Sequence, residues 1–338
     1  MIKNNAALPV LDLSQLLAGG EAKQKFLKEL AEAARTIGFF YLTGHGLATR
    51  QQDILQLSQQ FFALPEHEKL SIQMRNSAHF RGYTKLQGEL TQGKPDLREQ
   101  FDIMREEPAV DLACDDSAWW KLIGPNQWPA AMPSMRSALL EWQENLSEVS
   151  VTLLRAFADV LQQPEDIFDA TIADAPYTHM KLIRYPGSGD AVRRQGVGAH
   201  KDPGYLTIVA QDDQSGLEVL TDDKGWVSAA PIEGAFVVNI GELLELASNG
   251  YLRATYHRVV SPQTATERFS CAFFMAAQLN TNVPLLELPE ALREEALGPA
   301  SDPENPLFYQ VGDNVLKGRL RSHPDVAAAH YPKFAKAG

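Results

Sequence analysis

The stretch GVGAHKDPGYLTIVAQDD, residues 196–213, decides the reading of this chain. It places His200 and Asp202 two residues apart, immediately before an apolar, β-branched run. Side chains two apart on a strand share a face, so the imidazole and the carboxylate point the same way and Lys201 points the other. One imidazole and one carboxylate make a partial metal site. A third ligand has to come from a strand distant in sequence and adjacent in space. His257, in YHRVVS, is the best candidate. Two histidines and one carboxylate on one face leave open coordination positions, which is the donor set of non-haem iron(II) oxygenases. Zinc hydrolases also use two histidines and an acid, usually as HExxH on a helix, and that motif is absent.

Working outward, ERFSCAFF places Arg268 and Ser270 on one face of another strand, with Phe269, Cys271 and Phe273 on the opposite face. An unpaired buried charge is expensive, so this arginine needs an anion. No acidic residue shares its face. A ligand carboxylate held by the guanidinium fork, with the serine hydroxyl beside it, meets that need.

The surrounding chain reads as many short strands from about residue 177, at the spacing of an all-β sandwich or barrel. Ahead of them, PVLDL (9–13) reads as a strand, 20–37 as a helix, 38–47 as a buried strand and 48–63 as a helix. The stretch 76–133 reads as irregular. A long amphipathic helix covers about 134–162, between Pro133 and Pro164, with Ser134 placed to cap it. It packs along a sheet or forms a coiled-coil seam. Short helices are expected over 241–249 and about 312–321.

Composition limits the function classes. With 31 Lys plus Arg against 43 Asp plus Glu, the formal charge of −12 disfavours nucleic acid and anionic lipid as partners. A 44% hydrophobic content supports a sizeable core, and no apolar run reaches membrane-spanning length. Two cysteines, Cys114 and Cys271, read as free thiols, and the chain as a cytoplasmic protein.

HxD, a histidine some 54 residues on, and RxS eleven later resemble the isopenicillin N synthase-like family of Fe(II)/2-oxoglutarate-dependent dioxygenases. PVLDL, GFFYLTGHGL, GPNQWP, KLIRYP, VVNIGELLELASNG and HRVVSP carry the resemblance over nearly the whole chain. It implies a mainly β fold, a double-stranded β-helix or jelly roll with flanking α-helices. It divides the chain into an N-terminal α/β region (1–133), a long helical support (134–175), a catalytic core (176–285) and a C-terminal tail and helix closing the active site (286–338). It makes His200, Asp202 and His257 the iron ligands. It gives Arg268, Ser270 and Tyr185 to 2-oxoglutarate, although Ile183 stands where many plant members carry asparagine. The cofactors implied are Fe(II), 2-oxoglutarate and O2, with succinate and CO2 released as a small polar substrate is oxidised, an amino acid or related metabolite. RGYTKLQGELTQGKPDLREQFD (81–102) resembles a substrate lid of bacterial members, including the ethylene-forming enzyme. That resemblance offers Glu89, Leu90, Thr91, Lys181 and Arg321 as substrate contacts. Pro203 replaces that enzyme's tyrosine after the aspartate ligand, so ethylene formation does not carry over. Two alternatives stay open: an isopenicillin N synthase-type cyclase using O2 without 2-oxoglutarate, and a non-catalytic iron- or 2-oxoglutarate-binding module. Oligomeric state is not legible.

Overall fold

The computed structural model describes residues 7–113, 116–173, 176–189, 192–299 and 305–334. Cys114 lies outside them; Cys271 is a buried free thiol. In chain order the strands are β1 (Val10–Asp12), β2 (Phe39–Thr43), β3 (Gly82–Thr84), β4 (Leu90–Thr91), β5 (Lys94–Pro95), β6 (Glu99–Met104), β7 (Tyr177–Tyr185), β8 (Gln195–His200), β9 (Leu206–Gln211), β10 (Leu217–Thr221), β11 (Gly225–Ser228), β12 (Phe236–Ile240), β13 (His257–Val260) and β14 (Arg268–Ala276). The larger sheet runs β1-β2-β12-β9-β14-β7-β6-β3 and the smaller β11-β10-β13-β8, while β4 and β5 make a separate hairpin. Every pairing in the two sheets is antiparallel except β1 with β2.

Alternation along the strands builds two cores. One face of the larger sheet turns toward the smaller one. Phe39, Tyr41, Ile183 and Tyr185 there meet Val197, Leu217, Val219 and Val259. The intervening residues, Phe40, Leu42, Leu182, Ile208 and Phe273, turn the other way and join the helical layer. The resulting double-stranded β-helix with helices outside matches the jelly-roll expectation.

The helix Ser134–Val160 buries Leu139, Trp142, Leu146 and Leu153 in that second core, so its apolar stripe faces sheet and neighbouring helices rather than a coiled-coil partner. Each such side chain contributes about 1.5–3 kcal/mol on burial. Ser134 is the first helical residue, and the cap position is Pro133, with no side-chain cap bond. Among the described residues no helix is long and apolar enough to cross a membrane.

The expectation of irregular chain over 76–133 is corrected. β3 and β6 extend the larger sheet beyond β7, and all six residues of β6 are buried. Glu99, Gln100 and Asp102 gave that segment a loop-like composition. Glu99 meets Lys69, Tyr83 and Arg184, Gln100 donates to Asp102, and Asp102 meets His179 and Arg319.

Candidate metal and co-substrate site

His200 ends β8, and His257 opens β13 directly opposite it. Their ring centroids are 4.3 Å apart. Asp202 is not on the strand. The chain turns after His200, and the loop is pinned by the start of the helix Glu242–Ala247, whose first N–H groups have no partner within the helix. Glu242 N donates to the Asp202 carbonyl at 2.7 Å and Leu243 N to the Gly204 carbonyl at 3.1 Å. Backbone atoms of Gly204 fill the space that a Cβ on Gly241 would need, so a glycine at 241 is what lets the loop lie this close.

The turn brings the carboxylate to the imidazoles. Asp202 Oδ1 lies 3.5 Å from His200 Nε2 and 3.6 Å from His257 Nε2. The three donor atoms fall within 4.8 Å of one another, close enough to share a metal ion. Their remaining polar atoms are taken by the protein. Nδ1 of His200 donates to the Gly198 carbonyl at 2.8 Å, and Nδ1 of His257 to the Thr255 carbonyl at 3.2 Å. A carbonyl only accepts, so both Nδ1 atoms carry the proton and both Nε2 lone pairs are free. Asp202 Oδ2 accepts from Thr207 at 2.6 Å and from Asn239 at 2.8 Å, and those two residues are cross-strand partners on β9 and β12. Only Oδ1 remains for a metal. This is the outer support that metal-binding side chains require.

Burial opposes ionisation of Asp202, yet the two imidazoles and the Thr207 hydroxyl hold its carboxyl well below the usual range. Burial also pushes the His257 imidazole down to about 4, against the pull of Asp202. The carboxylate is therefore charged and the His257 imidazole is neutral at neutral pH, which are the ligating forms. Asp202 and His257 are buried while His200 is half-buried, so the site is open on the His200 side.

Arg268 opens β14 and is 1% exposed. Nη2 donates to Gln211 Oε1 at 3.0 Å, Nε to the Gln214 carbonyl at 3.2 Å, and Nη1 reaches Ser270 Oγ at 3.5 Å. Its guanidinium carbon lies 5.0 Å from the Tyr185 ring centroid. Among the described residues no carboxylate pairs with it, so a buried cation stands ready for a ligand anion. Arg268, Ser270 and Tyr185 line one cavity with His200, Asp202 and His257. The residues between those of β14, Phe269, Cys271 and Phe273, face the helical core.

The sequence-proposed substrate contacts divide. Lys181 donates to both oxygens of Glu89, at 2.8 and 2.9 Å. Glu89 also accepts from Arg98 at 2.7 Å and lies 3.4 Å from His323. Burial works against its charge, but Arg98, Lys181 and His323 hold Glu89 well below the usual carboxylate range. It is a neutralised anion rather than a free one. Thr91 donates to Asp96 at 2.7 Å, and Leu90 is half-buried on the β4–β5 hairpin. Arg321 is exposed and donates to Asn305 at 2.6 Å, turned away from this cluster. Arg319 and His323 occupy the inner face of that C-terminal segment instead. Arg319 reaches Asp102 at 3.3 Å, and His179 meets the same oxygen at 2.7 Å. The spacing of four between 319 and 323 was the available signal, since it puts both on one helical face with Arg321 opposite. Thr207, Asn239 and Arg98 were also missed. A lone asparagine in VVNIG was the hint for Asn239.

Two family models match the chain. One, described as non-haem dioxygenase in morphine synthesis N-terminal, covers residues 8–131, and one for the 2OG-Fe(II) oxygenase superfamily covers residues 177–277. A 2-oxoglutarate-dependent dioxygenase of Dothideomycetidae sp. is 31% identical over 97% of this chain and 93% of its own. A homoarginine-6-hydroxylase of Oryza sativa subsp. japonica is 37% identical over 83% of this chain and 89% of its own. Among solved structures, a 2OG-Fe(II) oxygenase family protein from Caulobacter crescentus is 27% identical, with a TM-score of 0.73 over 94% of this chain and 99% of that one. A fold, a donor set and relatives that agree over nearly the full length place this chain in the 2OG-Fe(II) oxygenase superfamily, as a non-haem iron dioxygenase dependent on 2-oxoglutarate.

Proposed function

We propose that the enzyme hydroxylates a small polar amino acid or a close relative of one. The observation that carries this reading is the charged wall of the cavity, where buried Arg98 stands beside His200 with Glu89 and Lys181 behind it. An apolar substrate would leave the unused donors of Arg98 desolvated without a partner, a cost that a polar substrate avoids. The relatives named homoarginine-6-hydroxylases support the same class.

In this reading His200, Asp202 and His257 hold Fe(II). Arg268 and Ser270 hold the distal carboxylate of 2-oxoglutarate, with Tyr185 against the guanidinium. Bound iron with 2-oxoglutarate and O2 supplies the oxidising chemistry, releasing succinate and CO2. Thr207 and Asn239 keep Asp202 Oδ1 turned to the metal. Gly198 and Thr255 keep both imidazoles in the ligating tautomer. Lys181, Arg319 and His323 fix the acidic groups behind the wall, so Glu89 acts through Arg98 rather than on the substrate.

A screen of oxygen-dependent succinate release tests this. Stimulation by L-homoarginine, L-arginine or L-lysine is the expected result. Stimulation by apolar or aromatic acids alone, with none from polar amino acids, contradicts it.

A further inference from the structure

We propose that Arg98 is the substrate's anion anchor: its guanidinium receives the carboxylate of the substrate on the wall of the iron cavity, separately from the 2-oxoglutarate arginine. This deepens the amino acid reading and rests on it for the identity of the substrate.

Arg98 is 8% exposed and lines the same cavity as His200, Tyr185 and Arg268. A single nitrogen, Nη2, serves both of its acidic neighbours, Glu89 at 2.7 Å and Asp96 at 3.2 Å. Nε is buried with no partner. Nη1 makes no hydrogen bond among the described residues. Two of the three donor nitrogens of a buried guanidinium are therefore unused, and each lost bond of that kind is expensive.

The two acids keep the buried guanidinium charged, but they engage it only through Nη2, and other groups share them. Glu89 is held by both oxygens to Lys181. Asp96, fully buried, accepts from Thr91, Gln195 and the Gly198 amide at 2.7, 3.0 and 3.2 Å. These bonds tie the 89–98 segment to β8, the strand that ends in His200, and Leu97 N adds a bond to the Gln195 carbonyl. Arg98 is thus held against β8, the strand of His200. A planar fork with unused donors on the wall of this cavity suits a carboxylate. Arg268 lies on β14, and Tyr185 of β7 lines the cavity with both arginines. The cavity thus offers two separate guanidinium groups, one for the co-substrate and one for the substrate.

The test uses the enzyme loaded with Fe(II) and 2-oxoglutarate. L-Homoarginine and its carboxamide are titrated anaerobically against the visible charge-transfer band, and succinate release is then read with each in oxygen. The acid is expected to act at concentrations roughly ten- to hundredfold below the amide. Arg98→Met is expected to remove that preference while leaving the band of the 2-oxoglutarate complex in place. Arg98→Lys, which keeps the charge that Glu89 and Asp96 require, is expected to restore part of it. Equal response of the wild type to acid and amide, or a preference that survives Arg98→Met, overturns the assignment. If neither compound moves the wild-type band, the homoarginine reading has failed on its own. Hexanoate against hexanamide then reads Arg98 independently. A preference for hexanoate that Arg98→Met abolishes supports the anchor, and the absence of any preference overturns it.

Discussion

Replacing Arg268 with methionine separates what the residue does for a ligand from what it does for the fold. The guanidinium is 1% exposed, and its partners in the protein are a glutamine oxygen, a carbonyl and a hydroxyl, all neutral. A ligand carboxylate would add a charge-assisted hydrogen bond of about 1.5–3 kcal/mol, so its loss weakens 2-oxoglutarate binding roughly tenfold to 150-fold. Stability should move little. The variant loses bonds to Gln211 and Gln214, but it also removes a buried charge that no carboxylate contacts directly, Asp212 acting on it only at longer range, and methionine fills much of the space. Anaerobic calorimetry with Fe(II) present gives the affinity, and thermal unfolding of the apoprotein gives the stability. Affinity within twofold of wild type refutes the reasoning. Loss of affinity accompanied by collapse of the fold shows that Arg268 is a structural residue.

Removing both outer partners of Asp202, with Thr207→Val and Asn239→Leu, should lower Fe(II) affinity about 10–100-fold, read by competition with a chromogenic chelator. Glu89→Ala strands Lys181 and Arg98 without a shared anion, and urea unfolding should show a loss of about 3–5 kcal/mol. Arg321→Ala should change stability by no more than about 0.5 kcal/mol and leave succinate release unaltered, because its side chain is exposed on Asn305. Burial pushes the His179 imidazole down to about 3, with Arg319 adding to the effect and Asp102 opposing it. Free imidazole titrates near 6.5, so between those values the unfolded chain holds the extra proton. This contribution to stability is complete above about pH 6.5 and is lost as pH falls toward 3. Urea unfolding of the apoprotein at pH 7.5 and 5.5 should show the drop, and His179→Gln should reduce it.

The residues proposed for the metal and the co-substrate could be picked out from the sequence because their chemistry lies in local spacing. HxD and RxS each occupy three residues, and for RxS the strand period fixes which side chains face together. The ligand geometry was only half legible, since Asp202 reaches the site from a turn rather than from β8. The charged cluster behind Arg98 was not legible for a different reason. Asp102 and Arg319 meet across 217 residues of sequence, and His179 and Asp102 across 77. Each alone reads as an ordinary surface charge. The inward-pointing charges of β6 hid a buried strand for the same reason: only the partners on other elements explain why they are tolerated. Arg321 was picked on its position in sequence, whereas the helix turns Arg319 and His323 inward.

The most direct test of the central claim is an anaerobic titration of Fe(II) and then 2-oxoglutarate into the apoprotein, following the visible metal-to-ligand charge-transfer band. The account predicts that the band develops in wild type and is absent in Asp202→Ala, which should neither retain iron nor release succinate. Iron binding in wild type without the band, or full iron content and turnover in Asp202→Ala, would contradict it.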